Sequence, residues 1–146
     1  MTTIKLRTAE RSDAKSIQVC IASAYADAMR DIADLPDVAS GIEEEIAEHQ
    51  VVIAEVDGTF FGVIIFDQQA EAMMIFNLAV SPEAQGKGIA RQLLAVAEAK
   101  AVEAGLSVLR LRTHRLMRAT REMYTHLGWV EVEVSGNTVV MQKKAK

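Results

Sequence analysis

Apolar and polar residues alternate over several short stretches of the chain, and each of these stretches predicts a β-strand. In the first of them, Ile4 and Leu6 alternate with charged residues. Further strands are predicted at residues 51–56, 59–66, 108–111, 129–134 and 138–141, of which the first two are runs of β-forming residues. Residues 71–80 are apolar on both faces except for Asn77, which predicts a buried central strand. Turns centred on Gly58 and Gly136 join two pairs of these strands, so both pairs are expected to form hairpins.

Apolar residues that recur every three or four positions predict the helices. These helices cover residues 8–29, 40–48, 88–104 and 117–127, and Asp13 is a plausible cap of the first. Gly105 and Gly128 follow the last two helices, which is typical of helix ends. The order β-α-α-β-β-β-α-β-α-β-β predicts a mixed sheet with helices packed on it, in one domain over residues 1–146.

Composition and charge narrow the class of protein. Of the 146 residues, 50% are hydrophobic and 25% are charged, which is typical of a globular protein. The net charge of −4 argues against broad electrostatic binding of nucleic acid. Cys20 is the single cysteine, so an internal disulfide and a multi-cysteine metal site are excluded. The N-terminus lacks an apolar signal segment, and we therefore expect a cytoplasmic protein that does not enter membranes.

The stretch SPEAQGKGIARQLL at residues 81–94 carries the clearest chemical signal. Two glycines stand between a strand and a helix, where exposed backbone N–H groups and the helix dipole favour an anion such as a phosphate. A P-loop would follow its lysine with Ser or Thr, but Lys87 is followed by Gly88. A dinucleotide-binding loop would place Gly or Ala where Arg91 stands, so that interpretation fits only in part.

A third interpretation fits the whole neighbourhood. Gln85, Gly88 and Ala90 satisfy a pattern of Gln or Arg, two residues, Gly, one residue, then Gly or Ala. With the preceding strand, this stretch resembles the acyl-CoA signature of the GNAT superfamily of N-acetyltransferases. A second stretch also resembles the terminal pattern of that superfamily, with a helical tyrosine, then Leu-Gly-aromatic, then two final strands. Its matching residues are Tyr124, Leu127, Gly128 and Trp129.

The resemblance extends from about residue 3 to residue 143 and implies both fold and ligand. The implied fold is an α+β, three-layer α/β/α domain whose central sheet is mixed, mostly antiparallel and about seven-stranded. The implied sheet is splayed between its fourth and fifth strands, and the pantetheine arm enters the gap. The implied cosubstrate is acetyl-CoA, without a metal, and the residues expected to bind it are Leu78, Ala79, Val80, Gln85, Gly86, Lys87, Gly88, Ile89 and Ala90.

The resemblance assigns Tyr124 as the general acid that protonates the departing thiolate. The base stays open between Glu71, His114 and a water held by Asn77. One departure from the superfamily concerns an asparagine that often precedes the tyrosine. Met117 and Thr120 occupy its expected positions, so polar contacts to CoA from that helix are not implied.

The acceptor is expected to be an amine of a small molecule or of a protein or peptide. Residues 24–48 form the variable region of the superfamily and hold eight acidic residues against Arg30, which suits a cationic amine or an ordinary solvated helix face. Dimers are common in the superfamily, so a homodimer is one expected form. The alternative function is a non-catalytic acyl-CoA sensor that acts through a partner.

Overall fold

The computed structural model describes residues 3–33 and 41–145. The strands are β1 Ile4–Thr8, β2 Gln50–Val56, β3 Thr59–Gln69, β4 Ala72–Val80, β5 Val108–His114, β6 Val130–Ser135 and β7 Thr138–Lys144. The helices are α1 Ala14–Ala24, α2 Ala26–Asp31, α3 Ile42–Glu48, α4 Ile89–Glu103 and α5 Arg118–His126. Short 3-10 helices lie at Arg11–Asp13 and Pro82–Ala84.

The strands form one seven-stranded mixed sheet, in the order β1-β2-β3-β4-β5-β7-β6. The pairs β1–β2, β2–β3, β5–β7 and β6–β7 are antiparallel. β4 and β5 run parallel, and their paired residues extend from Met73 with Leu109 to Ile75 with Leu111. The α+β fold with a mixed, mostly antiparallel sheet flanked by helices is confirmed. The splay between β4 and β5 stays a prediction.

Several strands are longer than their sequence patterns indicate. β3 continues to Gln69, β5 to His114 and β7 to Lys144. In β5 and β7 the reason is mutual pairing, because the ladder runs unbroken from Val108 with Lys144 to His114 with Thr138. Backbone pairing continues after the alternation of apolar residues has ended, so sequence periodicity underestimates the length.

The first predicted helix is divided in the structure. A 3-10 turn at Arg11–Asp13 precedes α1, and Tyr25 separates α1 from α2 with φ −102° and ψ 8°. Asp13 lies directly before α1, as predicted, but its carboxylate does not cap that helix. It accepts hydrogen bonds from the Glu10 backbone N–H at 2.7 Å and from both terminal nitrogens of Arg7 at 2.9 Å. Asp13 therefore ties the start of α1 to β1.

The chain divides into two compact units, and the first comprises the described residues of Met1–Phe66 and Asn77–Ala95. On one face of its strands, α1 and α3 bury an apolar cluster that includes Ile17, Ile21, Val63 and Ile65. On the other face, the first turns of α4 contact β3 near Gly62. This unit thus has helices on both faces of its strands.

The second unit comprises Asp67–Phe76 and the described residues of Val96–Lys146. Leu109 and Leu111 of β5 lie opposite Lys143 and Met141 of β7, and the two leucines and Met141 are all buried. Lys143 also forms an ion pair with Glu98 of α4 at 3.6 Å. The single domain over residues 1–146 stays a prediction.

Candidate functional site

The segment between β4 and α4 is anchored where it leaves the sheet. The Ser81 backbone N–H donates to the Phe61 carbonyl of β3 at 2.8 Å. Pro82–Ala84 then forms a 3-10 turn in which the Ala84 N–H donates to the Ser81 carbonyl at 2.9 Å. The Ala84 side chain is buried, so the turn is held from below while the following residues are exposed. We call residues 85–90 the glycine loop.

Two glycines give the glycine loop its shape. Gly86 has φ +83° and Gly88 has φ +80°, both in the left-handed region that L side chains rarely adopt. A Cβ built on either glycine would meet no described atom within 4 Å. In the chain itself, glycine is therefore required at both positions by backbone conformation, and the space above each is open.

The glycine loop ends as the N-terminus of α4. The Gln92 N–H donates to the Gly88 carbonyl at 3.1 Å, which makes Gly88 the N-cap residue. The N–H groups of the first helical turn, Ile89, Ala90 and Arg91, therefore have no carbonyl acceptor within the helix. α4 is 15 residues long, so its dipole places a partial positive charge at the same point. Amides and dipole together suit a phosphate group.

The predicted loop residues differ in what their side chains do. Gln85 and Lys87 are exposed, and Ala90 is half-buried. Ile89 is only 1% exposed, and its side chain lies beside Gly62 of β3, as does that of Leu93. The side chain of Ile89 thus holds the helix on the sheet, and the loop offers its backbone to solvent.

The end of β4 leads into this loop and presents its amides in two directions. Because Ser81 donates to β3, and successive N–H groups of a strand point to opposite sides, the N–H groups of Val80 and Leu78 point away from β3. Ala79 is buried, whereas Leu78 and Val80 are half-buried. The end of β4, where the pantetheine arm is predicted to bind, therefore has N–H donors on the side that faces away from β3.

Cys20 of α1 lies beneath the same strand. Its thiol donates to the Ala79 carbonyl at 3.9 Å, and the Ser81 hydroxyl donates to Cys20 Sγ at 3.7 Å. Cys20 is 3% exposed, and burial raises the pKa of its thiol above the ordinary value. A buried, protonated thiol is a poor nucleophile. Cys20 and Ser81 instead tie α1 to the base of the loop.

Tyr124, the predicted acid, lies on α5 in the second unit. It is 5% exposed, and its ring packs edge to face on Trp129 with centroids 5.3 Å apart. The Trp129 backbone N–H donates to the Tyr124 carbonyl at 3.0 Å. Met117 is the N-cap residue of this helix, and Thr120 is half-buried on it.

The three candidates for the base have different environments. Asn77 on β4 is buried, with 9% exposure. His114 ends β5, is also 9% exposed, and accepts the Leu116 backbone N–H on Nδ1 at 3.1 Å. Glu71 was expected within a strand, but β4 begins at Ala72. Glu71 instead lies exposed in the β3–β4 turn beside Ala70, whose φ is +57°.

The acidic stretch of the variable region lies partly in α2 and α3. Asp31 pairs with Arg30 at 3.4 Å, and Glu43 pairs with Arg11 at 3.2 Å, both with exposed side chains. Asp34 and Asp37 lie outside the described residues. Trp129, at 2% exposure, belongs to the core.

Sequence reasoning missed Phe61, Gly62 and Ser81, which fix the glycine loop to the sheet. An isolated glycine inside a strand pattern often marks a close approach of another element, and Gly62 carried that signal. Phe61 and Ser81 act through backbone atoms and a buried hydroxyl, so their residue types gave no warning.

The described residues exclude some further features. None of their helices is long and apolar enough to cross a membrane. Across residues 3–33 and 41–145, no group of three or more His, Cys, Asp or Glu side chains is placed to hold a metal ion.

Comparison with known proteins gives consistent results. The model of the acetyltransferase (GNAT) family matches residues 19–129. An uncharacterized N-acetyltransferase, YhfO of Bacillus subtilis, is 28% identical over 136 residues, covering 88% of this chain and 91% of that protein. The crystal structure of PaiA N-acetyltransferase from Thermoplasma acidophilum, in complex with coenzyme A, superposes with a TM-score of 0.87. The two sequences are 20% identical, and the superposition covers 97% of this chain and 99% of the PaiA chain. The ribosomal-protein-S18-alanine N-acetyltransferase of Escherichia coli has a TM-score of 0.76 at 18% identity, covering 100% of this chain and 95% of its own.

Proposed function

Because the chain belongs to the acetyltransferase (GNAT) family, and is therefore an acyltransferase, we propose that it moves the acetyl group of acetyl-CoA to an amine by direct attack. The amine belongs to a small molecule or to a protein or peptide. The observation that carries this proposal is the glycine loop, where Gly86 and Gly88 adopt left-handed φ values directly before the N-terminus of α4.

The glycine loop would hold the pyrophosphate of the cosubstrate through backbone donors. The first-turn amides of α4 point out of the helix end, and Gly86 and Gly88 keep the approach to them free of side chains. A hydrogen bond from a backbone N–H to a charged phosphate is stronger than one to a neutral acceptor, and the loop offers several such donors. The exposed side chains of Gln85 and Lys87 are not needed for this binding, because the donors belong to the backbone.

The strand before the loop would orient the reacting end. Acetyl-CoA supplies an activated acetyl thioester, whose carbonyl oxygen gains negative charge when an amine attacks. The N–H groups of Leu78 and Val80 point away from β3. They would therefore be free of that strand to donate hydrogen bonds to the carbonyl oxygen. Ala79, buried between them, holds the strand against α1.

Tyr124 would then give a proton to the departing sulfur. A phenol loses its proton near pH 10 in water, so at neutral pH it is a donor that a thiolate leaving group can use. Direct attack is supported by Cys20, because a buried thiol with a raised pKa is unsuited to carry an acyl intermediate.

The base is best assigned to ordered water near β4. His114 Nδ1 accepts the Leu116 backbone N–H at 3.1 Å, so this nitrogen is already engaged in a hydrogen bond. Glu71 lies at an exposed position in the turn between β3 and β4. Asn77 cannot act as a base, but its side chain can hold a water that does.

The acceptor would be cationic before it reacts. α2 and α3 carry Asp27, Asp31, Glu43, Glu44 and Glu45 at exposed or half-buried positions. Such a surface attracts ammonium groups and is screened by salt. The activity of the Escherichia coli neighbour on a ribosomal protein shows that this fold can serve a protein acceptor, and a peptide amine therefore belongs in the panel of acceptors beside small amines.

Two measurements on the purified chain test the proposal. Calorimetry with CoA tests the glycine loop, and thiol release from acetyl-CoA in the presence of an amine panel tests the reaction. Binding together with amine-dependent thiol release is the expected result. Binding without thiol release for any amine would favour the acyl-CoA sensor, and absence of binding would overturn both functions.

A further inference from the structure

β3 leaves no room for a side chain at Gly62, beneath the start of α4. A Cβ built on Gly62 would lie 2.9 Å from Cγ2 of Ile89, 3.2 Å from Cδ1 of Leu93 and 3.3 Å from the Ala79 carbonyl oxygen. A carbon–carbon contact at 2.9 Å is well inside the optimal separation of about 3.5–4.0 Å. α4 therefore approaches the sheet closely at Gly62.

The backbone of Gly62 does not itself require glycine. Its φ is not among the positive values of the chain, so alanine could adopt the same conformation. The atom it would strike is the γ-methyl of a β-branched residue, which has little freedom to rotate away within a helix. The Ala79 oxygen, 3.3 Å from the added Cβ, belongs to the backbone and is equally fixed. An added methyl at position 62 must therefore move the helix or the strand.

The residue paired with Gly62 in the neighbouring strand is also small. This partner in β2 is Ala54, which is also fully buried, so two small residues lie side by side beneath α4. The pairing of β2 and β3 shifts register beside them, leaving Phe61 as the extra residue of a bulge. The carbonyl of Phe61 accepts the Ser81 N–H at 2.8 Å. Adjacent residues of β3 thus contact the chain on both sides of the glycine-rich stretch, Phe61 at Ser81 before the glycine loop and Gly62 at Ile89 where α4 begins.

We infer that Gly62 is a positioning residue for the binding of acetyl-CoA. Gly62 would contact no reacting group, but its lack of a side chain sets the distance between Ile89 and the sheet. Ile89 opens the helical turn whose amides would hold the pyrophosphate, so that distance determines where the donors point. This inference rests on the proposed function and adds to it a residue outside the loop.

Gly62→Ala is the test, with CoA affinity measured by calorimetry and folding by thermal denaturation. We expect the Kd for CoA to rise by roughly tenfold, because misaligned amides lose charge-assisted hydrogen bonds. The KM for acetyl-CoA should rise with it, while the KM for the amine stays within about twofold of the parent, because the added methyl acts on the helix start that would bind the cosubstrate.

Val63→Ala is the matched control. Val63 is the next residue of β3, is fully buried, and packs on the opposite face in the cluster of α1 and α3. Its truncation should lower the melting temperature without raising the Kd for CoA. A Gly62→Ala protein that is folded and binds CoA as the parent does would overturn the inference and leave the proposed function intact. A parent chain that does not bind CoA would overturn both.

A double variant keeps the test decisive even where Gly62→Ala alone does not fold. Ile89→Ala removes the Cγ2 atom that the new methyl would strike, so the methyl at 62 fills part of the space. We expect Gly62→Ala with Ile89→Ala to bind CoA at least as tightly as Ile89→Ala alone. Weaker binding by the double variant would mean that the methyl acts elsewhere, and would overturn the inference.

Discussion

Tyr124 and Trp129 pack edge to face, with ring centroids 5.3 Å apart and ring planes at 66°. Aromatic pairs at this distance and angle gain energy beyond the area that they bury. Since the Trp129 N–H also donates to the Tyr124 carbonyl, the tyrosine is held by its ring and by its backbone. A catalytic acid benefits from such restraint, because its hydroxyl is in place before the thiolate forms.

Tyr124→Phe should separate chemistry from binding. The ring and its contact with Trp129 remain, so the melting temperature and the Kd for CoA should stay near those of the parent. The kcat for acetyl transfer should fall by roughly 10- to 1000-fold, the range for loss of one acid–base group. Steady-state kinetics with calorimetry on the same protein measures both quantities. An unchanged kcat would show that another group protonates the sulfur.

Trp129→Phe is the complementary variant. It loosens the same ring contact and leaves the phenol in place. We expect a lower melting temperature and a loss of kcat clearly smaller than that of Tyr124→Phe, since the phenol is kept while a buried core residue at 2% exposure is truncated. Loss of kcat to the extent seen for Tyr124→Phe would mean that ring packing, and not the proton, controls the rate.

Gly88→Val should weaken CoA binding severely. Valine is a genuine outlier at φ +80°, so the loop must change its conformation, and a side chain would also enter the open space above the helix start. We expect the Kd for CoA to rise by roughly tenfold or more, because strain of this kind costs about 1–3 kcal/mol. Calorimetry on protein whose fold is checked by circular dichroism gives the comparison.

Gly58→Val is matched to that variant. Gly58 lies in the β2–β3 turn, also has φ +80°, and also has no described atom within 4 Å of an added Cβ. The backbone strain is therefore the same, but the turn is not part of the glycine loop. Gly58→Val should lose stability and keep its CoA affinity. Equal losses of affinity in both variants would remove the glycine loop from the binding site.

The stability of the fold should depend on pH through Asp13. Hydrogen bonds from Arg7 hold the pKa of the Asp13 carboxyl below its ordinary value of 3.8. The carboxylate therefore stabilises the fold fully above that value, and the contribution is lost as the pH falls through the lower pKa of the folded state. Asp13→Asn should cost roughly 1–2 kcal/mol at neutral pH, because Arg7 loses a charged partner.

The melting temperature measured from pH 7 to pH 2 tests this dependence. Asp13→Asn should show a shallower decline below about pH 4 than the parent. Asp27→Asn is the control, because the Asp27 side chain is 86% exposed and its pair with Arg30 is solvated. Parallel declines in the parent and Asp13→Asn would contradict the role of the Arg7–Asp13 pair.

Neutralising the acidic surface should affect the acceptor alone. Asp31, Glu43 and Glu44, changed together to Asn and Gln, should raise the KM for a cationic amine and leave the KM for acetyl-CoA unchanged. The effect should shrink near physiological salt, where exposed charges more than about 8 Å apart are screened. An unchanged amine KM at low salt would identify these carboxylates as an ordinary solvated surface.

The sequence predicted those features that depend on local chemistry. Left-handed glycines before a helix are legible because few other residues fit there, and Gly86 and Gly88 adopt that conformation. An isolated glycine such as Gly62 indicates a close approach of some element, but the sequence does not identify Ile89 as its neighbour, because the two residues are 27 positions apart. The base was equally out of reach. The hydrogen bond from the Leu116 backbone N–H to His114 Nδ1 depends on the turn after β5, and periodicity does not carry that information.

Thiol release from acetyl-CoA, followed with and without a panel of small amines and peptides, tests the central claim most directly. The account predicts that the parent chain releases thiol only when an acceptable amine is present, in amounts equal to the acetylated amine formed. It also predicts that Tyr124→Phe slows this release while still binding CoA. Tight CoA binding without thiol release from acetyl-CoA in the presence of any of the amines would contradict the account.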